Sequence, residues 1–446
     1  MTAAGTYLLG ALGAAADRVV AWIGTTDRPS GALELIVGDA RQQVAGGWTE
    51  FDTRGGGVRA QRVTIEGLAS GRDYAMQLVV DHALVATASV STLPAALPLS
   101  DERPFTVLLG SCFSVAQDPA GQAGASIARL PVFAKPHVAI YAGDQVYLDS
   151  PFLHFLTAFH SEDDLAEELL SRYMTTWTQR TAIGGFQQAL TTAGACFTSD
   201  DHDYWNNAPL PAPYVLDTWT AAGRAIWRDQ ATRLFKLFGG IDAPARFAVG
   251  PLSFFVADTR ISRTEDDVAF MTGDQLGALE AWVRGLSGPG VLVTGQPIFA
   301  AERGFVGRFT DYGLPDYRQF GDLARILLST GHDIVVLTGD VHYGRVAISD
   351  LPAGSRLIEV IASPFALVSP LAAGKWGAAP MMFPAGPLPG VARPTVTTAA
   401  YRRDDEHFIT AAFTGAGQAV QMSVTAWPVR GGNEPTGAPV LTTVLH

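Results

Sequence analysis

The sequence predicts a β-rich N-terminal segment followed by an α/β domain, and three observations carry that prediction. Residues 1–97 break into short β-type runs separated by Gly, Asp, Ser and Pro. From Phe105 onward, apolar runs alternate with amphipathic helical stretches, the pattern of an α/β domain. Four apolar runs end in short motifs that carry Asp, Cys or His, which places ligand-type side chains at one rim of a sheet.

In chain order, RVVAWIG (18–24), LELIVG (33–38), QRVTIEGL (61–68), YAMQLVV (74–80) and TASVSTL (87–93) are predicted strands. The turn from Gly67 to Tyr74, followed by an alternating strand, resembles the corner of fibronectin type III sandwiches, where a Tyr hydroxyl bonds back to backbone. A proline-punctuated connector over 93–104 divides the chain into a sandwich at 1–97 and a second domain at 104–446. Helices are predicted over 161–179, with Ser161 as N-cap and acidic residues in the first turn, and over 221–238, 272–286 and 320–331. FAVGPLSFFVADTR (247–260) and GVLVTGQPIF (290–299) are predicted as strands. Residues 366–395, rich in Pro, Gly and Ala, are predicted as a loop draped over the rim and packed down by Trp376, Met381, Met382 and Phe383. The C-terminal stretch 407–429 is predicted as a hairpin turning at Gly415-Ala416-Gly417 and adding to a sheet edge.

At 446 residues, 48% hydrophobic and 17% charged, the chain can bury a large core. Its net charge of −12 argues against a nucleic-acid partner, which requires an excess of Lys and Arg. A phosphate substrate is still compatible, because a metal cluster supplies local positive charge. The two cysteines, Cys112 and Cys196, read as unpaired thiols, with Cys196 a small core residue. No apolar run reaches the ~18 residues of a transmembrane helix. The opening residues look like a leader but lack a basic start, so the expected location is cytoplasmic, or periplasmic or secreted if an export signal has been removed.

The four strand-end motifs are Gly110-Ser111-Cys112, Gly143-Asp144 with Tyr147, Asp200-Asp201-His202-Asp203, and Gly339-Asp340-Val341-His342. Cys112, Asp144, Tyr147 and His342 together mix thiolate, carboxylate, phenolate and imidazole, a set suited to Fe(III). Asp201, Asn207 and Asp340 offer hard oxygens for Ca or another divalent cation. An Asp can bridge two cations, and a cation pair about 3.5–4 Å apart polarises a phosphoryl oxygen and acidifies water. His202, among carboxylates, can stabilise the transition state or protonate a leaving oxygen. A lone Gly-Asp is usually a turn and a lone His usually structural; the ordered combination is what argues for a metal site.

These motifs resemble the PhoD-like alkaline phosphatase family of the metallophosphoesterases. The likeness runs from about Phe105 to the C-terminus and extends to Asp258-Thr259-Arg260, Gln296-Pro297-Ile298-Phe299, Ile358-Glu359 and Ser363-Pro364. The resemblance implies a four-layer α/β/β/α core behind an N-terminal β-sandwich. It implies Fe(III) on Cys112, Asp144, Tyr147 and His342, with Asp144 bridging. Asp201, Asn207 and Asp340 would hold one or two Ca ions, and His202 would act catalytically. Gln296 stands near a position where relatives keep a metal-binding His. Arg260 and Arg345 are candidate phosphate clamps, since guanidinium matches phosphate bidentately, and an ion pair with Asp258 is the competing role for Arg260. Where the family commonly has Glu after its catalytic His, this chain has Asp203.

The expected activity is hydrolysis of small phosphomonoesters or phosphodiesters by a metal-activated hydroxide. One alternative is a catalytically silent binding or adhesion protein on a degenerate phosphatase fold. Another is a hydrolase using Cys112 as nucleophile. The sequence does not fix the physiological substrate or the oligomeric state.

Overall fold

The computed structural model describes the chain except residues 1–6, 30, 157, 241–243, 309–311, 367–394, 397–401, 404, 418 and 431–435. Most of the predicted loop at 366–395, with its packing residues Trp376, Met381, Met382 and Phe383, lies outside the described residues. The strands of the N-terminal part are β1 (Tyr7–Leu12), β2 (Arg18–Thr25), β3 (Leu33–Val37), β4 (Ala40–Gln43), β5 (Thr49–Thr53), β6 (Gly56–Glu66), β7 (Asp73–Val80) and β8 (Ala83–Ser91). There follow β9 (Phe105–Gly110), β10 (Val138–Ala142), β11 (Gly194–Thr198), β12 (Ala245–Val249), β13 (Leu252–Val256), β14 (Gly290–Val293), β15 (Ile334–Thr338), β16 (Gly344–Asp350) and β17 (Arg356–Ile361). The last are β18 (Thr395–Val396), β19 (Arg402–Arg403), β20 (His407–Ala416), β21 (Ala419–Pro428) and β22 (Ala438–Leu445).

A ten-stranded sheet runs β22-β21-β20-β9-β10-β11-β1-β2-β6-β5. An eight-stranded sheet contains β12-β13-β14-β15-β17-β16-β18, with β19 also paired to β16, and a four-stranded antiparallel sheet runs β4-β3-β7-β8. The central strands β9, β10 and β11 are parallel and buried along their whole length, as are β14 and β15. Parallel strands covered on both faces read as continuous apolar runs, which is why FTVLL, VAIYA and IVVLT show no alternation. The C-terminal hairpin forms as expected and enters beside β9, where Phe413 pairs with Phe105 and Ile409 with Leu109.

The N-terminal strands do not form a detached unit. Strand β1 is antiparallel to β2 and parallel to β11, with Ala11 opposite Gly194 and Leu12 opposite Ala195. Hydrogen bonding therefore continues from residues before 97 to residues after 104. The Tyr74 corner is present: its hydroxyl accepts from the Ala69 N–H at 2.9 Å.

Three apolar clusters organise the α/β part. One joins inward residues of both large sheets, among them Val107, Ile140, Cys196, Phe254, Val291, Val335 and Ile358. A second packs the opposite face of the ten-stranded sheet against the helices Glu162–Trp177 and Ala221–Phe238, through Tyr141, Phe197, Tyr173, Trp177, Trp227 and Phe238. A third packs the eight-stranded sheet against the helices Gly273–Arg284 and Phe320–Leu327. The expected cap is made, with Ser161 Oγ accepting from Asp164 N–H, and Thr272 with Gln275 adds a capping box. The expected strand at 247–260 is instead a hairpin, β12–β13, turning at Gly250 with φ 57°.

Candidate metal centre

The strand-end motifs converge at the carboxyl ends of the parallel strands of the two large sheets. Ser111 Oγ donates to Ala362 O at 2.9 Å, Ser199 N–H donates to Asp258 Oδ2 at 2.6 Å, and Gly339 N–H donates to Gly295 O at 3.1 Å. A Cβ on Gly339 would lie 2.2 Å from Ser111 Oγ, and one on Gly143 would lie 2.5 Å from the Asp200 Cβ. Gly339 is there because the rims of the two sheets meet with no room for a side chain, and Gly143 because the turn after the neighbouring strand β11 crowds it.

Three overlapping donor groups result: Cys112/Asp144/His342, Asp144/Asp201/His202 and Asp200/Asp201/Asp340, each with ligand atoms within 4.8 Å of one another. Asp144 belongs to two of them, and so does Asp201. Cys112, Asp144, Asn207, Asp340 and His342 all adopt positive φ, at 59°, 59°, 65°, 69° and 54°. Non-glycine residues seldom occupy that region, and such strain concentrates at functional sites. Tyr147 joins the first group, its hydroxyl 3.3 Å from His342 Nε2. Cys112 Sγ lies 3.5 Å from Asp144 Oδ2.

The electrostatics call for a cation. Burial, then neighbouring carboxylates, push Asp144 well above the usual carboxylate range even though His202 opposes the shift. Asp200 is pushed up to about 6 by burial although Arg260 opposes it, and its Oδ2 is buried without a hydrogen-bond partner. Burial also works to raise Asp201, but the charges of His202 and Arg260 carry it below its ordinary value. A soft–hard donor set next to a carboxylate cluster with an unsatisfied oxygen fits metal ions. Burial pushes the Cys112 thiol well up, with Asp144 and Asp340 adding to it, which is the reverse of what a metal-free nucleophilic cysteine requires.

Several expected residues are engaged in contacts within the protein. The Arg260 guanidinium is fully buried and pairs with Asp200, with Nε 2.6 Å from Oδ1, while Nη1 donates to Ala208 O at 2.6 Å. The ion pair weighed for Arg260 is thus present, but with Asp200; Asp258 takes only the Arg260 backbone N–H, at 2.9 Å. Arg345 is buried on Glu359 Oε2 at 2.7 Å, and Glu359 Oε1 accepts from the Ile298 and Phe299 N–H groups. Asn207 lies beside Asp201, whose Oδ2 accepts its N–H at 2.6 Å. Its carboxamide ties down a neighbouring loop: Nδ2 donates to Gly307 O and Arg308 O, and Oδ1 accepts from Tyr312 N–H at 2.8 Å. Gln296 donates from Nε2 to Asp340 Oδ2 at 2.9 Å, while its Oε1 accepts from Arg263.

None of the protein-family models matches this sequence, and no curated protein does. Among solved structures, one titled "Structure of PhoD" matches with TM-score 0.65 and 15% identity, over 98% of this chain and 89% of that one. The fold is PhoD-like. A glycosyl hydrolase family 2 member from Bacteroides cellulosilyticus gives TM-score 0.25 at 8% identity, over 98% of this chain and 62% of its own, and carries no argument.

Within this PhoD-like fold, Asp149, which sequence reasoning passed over, and Asp203, which it noted only as a departure from the family pattern, shape the centre. Asp149 is fully buried, with Oδ1 2.7 Å from His202 Nδ1 and Oδ2 accepting from Asn206 N–H and Tyr214 O–H. Burial opposes charge on His202, but Asp149 and then Asp201 raise its pKa well above the usual imidazole value. Asp203 accepts four backbone N–H groups, from Asp144, Gln145, Val146 and Asp200, and so braces both turns that carry ligands. Its place directly after His202, where the resembling family commonly has Glu, was the hint the sequence offered.

Proposed function

We propose that the protein is a metal-dependent phosphoesterase acting on small phosphate esters. The observation that carries this reading is the chain of overlapping donor groups, linked through Asp144 and Asp201, at the carboxyl ends of the parallel strands where two mixed sheets meet in a PhoD-like fold. Ligands of open α/β sheets bind outside the carboxyl ends of the strands, where this centre stands. We assign Fe(III) to Cys112, Asp144, Tyr147 and His342, and Ca or another divalent cation to Asp201 and Asp340, with Asn207 alongside. The three apolar clusters support a four-layer α/β/β/α stack.

Bound there, such cations would acidify water and offset charge on the phosphoryl oxygens. The chain's own part is to hold and move a proton. Asp149 fixes His202 through Nδ1, which leaves Nε2 to protonate the leaving alcohol oxygen. Arg260 and Arg345 act at one remove: Arg260 orients Asp200, and Arg345 with Glu359 orients the 296–299 turn.

Hydrolysis of a panel of phosphate mono- and diesters tests the reading. Asp144→Asn and His342→Ala should each abolish it. Full activity in either variant, or no hydrolysis by metal-loaded wild type, would overturn it.

A further inference from the structure

Ser363 is not among the residues read as ligands, yet its hydroxyl stands between two of them. It follows β17 and is completely buried. Its Oγ lies 3.0 Å from Cys112 Sγ and accepts from His342 N–H at 3.1 Å. A serine hydroxyl has a single hydrogen to give. With the His342 N–H on one lone pair, that hydrogen is left to point at the sulfur. Ser111 Oγ is also near the sulfur, at 3.6 Å, but it donates to Ala362 O at 2.9 Å. Ser363 is therefore the hydroxyl whose hydrogen is directed at Cys112.

A buried thiolate without donors is costly, and partners beyond the ligands tune a metal as well as orient it. The same Ser363 oxygen also fixes the backbone of His342, so one side chain sets both the charge on the sulfur and the placement of the imidazole.

We propose that Ser363 is a positioning residue that tunes the Cys112 thiolate and holds His342 toward a shared iron. This rests on the iron assignment made above. A hydrogen-bonded thiolate donates less charge to Fe(III), so its one-electron reduction to Fe(II) by an added reductant such as dithionite becomes easier.

The test uses the full chain loaded with iron, comparing wild type, Ser363→Ala and Ser363→Thr by visible absorption and mediated redox titration. In Ser363→Ala the thiolate-to-iron band should move to longer wavelength and the midpoint should become more negative. Ser363→Thr, which keeps the hydroxyl, should return both toward wild type. An unchanged band and midpoint in iron-loaded Ser363→Ala would overturn the proposal and leave the iron assignment standing. A wild type that takes up no iron would overturn the iron assignment and the proposal with it. Should Ser363→Ala fail to load, wild type alone decides: the Fe–S stretch in resonance Raman should shift between protein prepared in H2O and in D2O, and an unshifted stretch would overturn the proposal.

Discussion

At the scale of single residues, the proposed ligands are held by a second set of side chains, among them Asp149, Asp203 and Ser363. Replacing His202 by Ala should lower kcat roughly 100- to 10,000-fold, the range for losing a general acid, with metal content unchanged. Asp149→Asn should lower kcat by less and leave KM near wild type, because it weakens the charge and aim of the imidazole but leaves the proton donor in place; steady-state kinetics checks both. Glu359→Gln strands the fully buried Arg345, and breaking a buried pair in this way costs about 3–5 kcal/mol, readable by urea unfolding. His137, remote from the ligand set, gives a pH signature. Burial, reinforced by Arg103, lowers its pKa from 6.5 to about 4, and its Nδ1 accepts from Thr106 N–H at 3.1 Å. Because the folded value lies below the unfolded one, the unfolded chain binds the extra proton between them. Stability should therefore fall as pH drops from 6.5 toward 4, by an amount on the order of 3 kcal/mol. His137→Asn, which keeps an acceptor at that position, should lack this component. Parallel pH–stability curves for the two proteins would expose an error.

At the scale of elements, the four predicted helices were legible from their periodicity, and three of them carry a side-chain N-cap, at Ser161, Thr220 and Thr272. Strand β1 and the β12–β13 hairpin were harder to read, for different reasons. Strand β1 (YLLGAL) was passed over because six apolar or small residues next to the chain start resemble a leader more than a strand. Strands β12 and β13 were read as one because Gly250-Pro251 turns the chain in two residues inside a continuous apolar run. The join between the N-terminal strands and the helices depends on Trp22, whose Nε1 donates to Leu237 O at 2.7 Å in a buried setting. Trp22→Phe leaves that carbonyl without its donor and should cost about 1–3 kcal/mol, with the m-value unchanged.

Across the whole molecule, the proposed ligands could be read locally, since Cys112, Asp144 and Asp340 each follow a serine or glycine just after a buried strand. The partners that brace them could not. Asp149 meets a histidine 53 positions later, and Ser363 meets a cysteine 251 positions earlier, so no window along the chain contains either relation. The same limit applies to the boundary drawn between 97 and 104, across which β1 and β11 pair. Leu8, Trp22, Phe51 and Val58 also share a core with the helices of the α/β part. Residues 98–446 expressed alone should therefore be poorly soluble or lose cooperative unfolding, as solubility and calorimetry would show. The central claim concerns the Cys112, Asp144, Tyr147 and His342 centre, and elemental mass spectrometry on natively purified protein tests it most directly. The account predicts about one iron per chain together with calcium or another divalent ion, lost in Cys112→Ala. Protein that holds no metal, even after refolding with added ions, would contradict it.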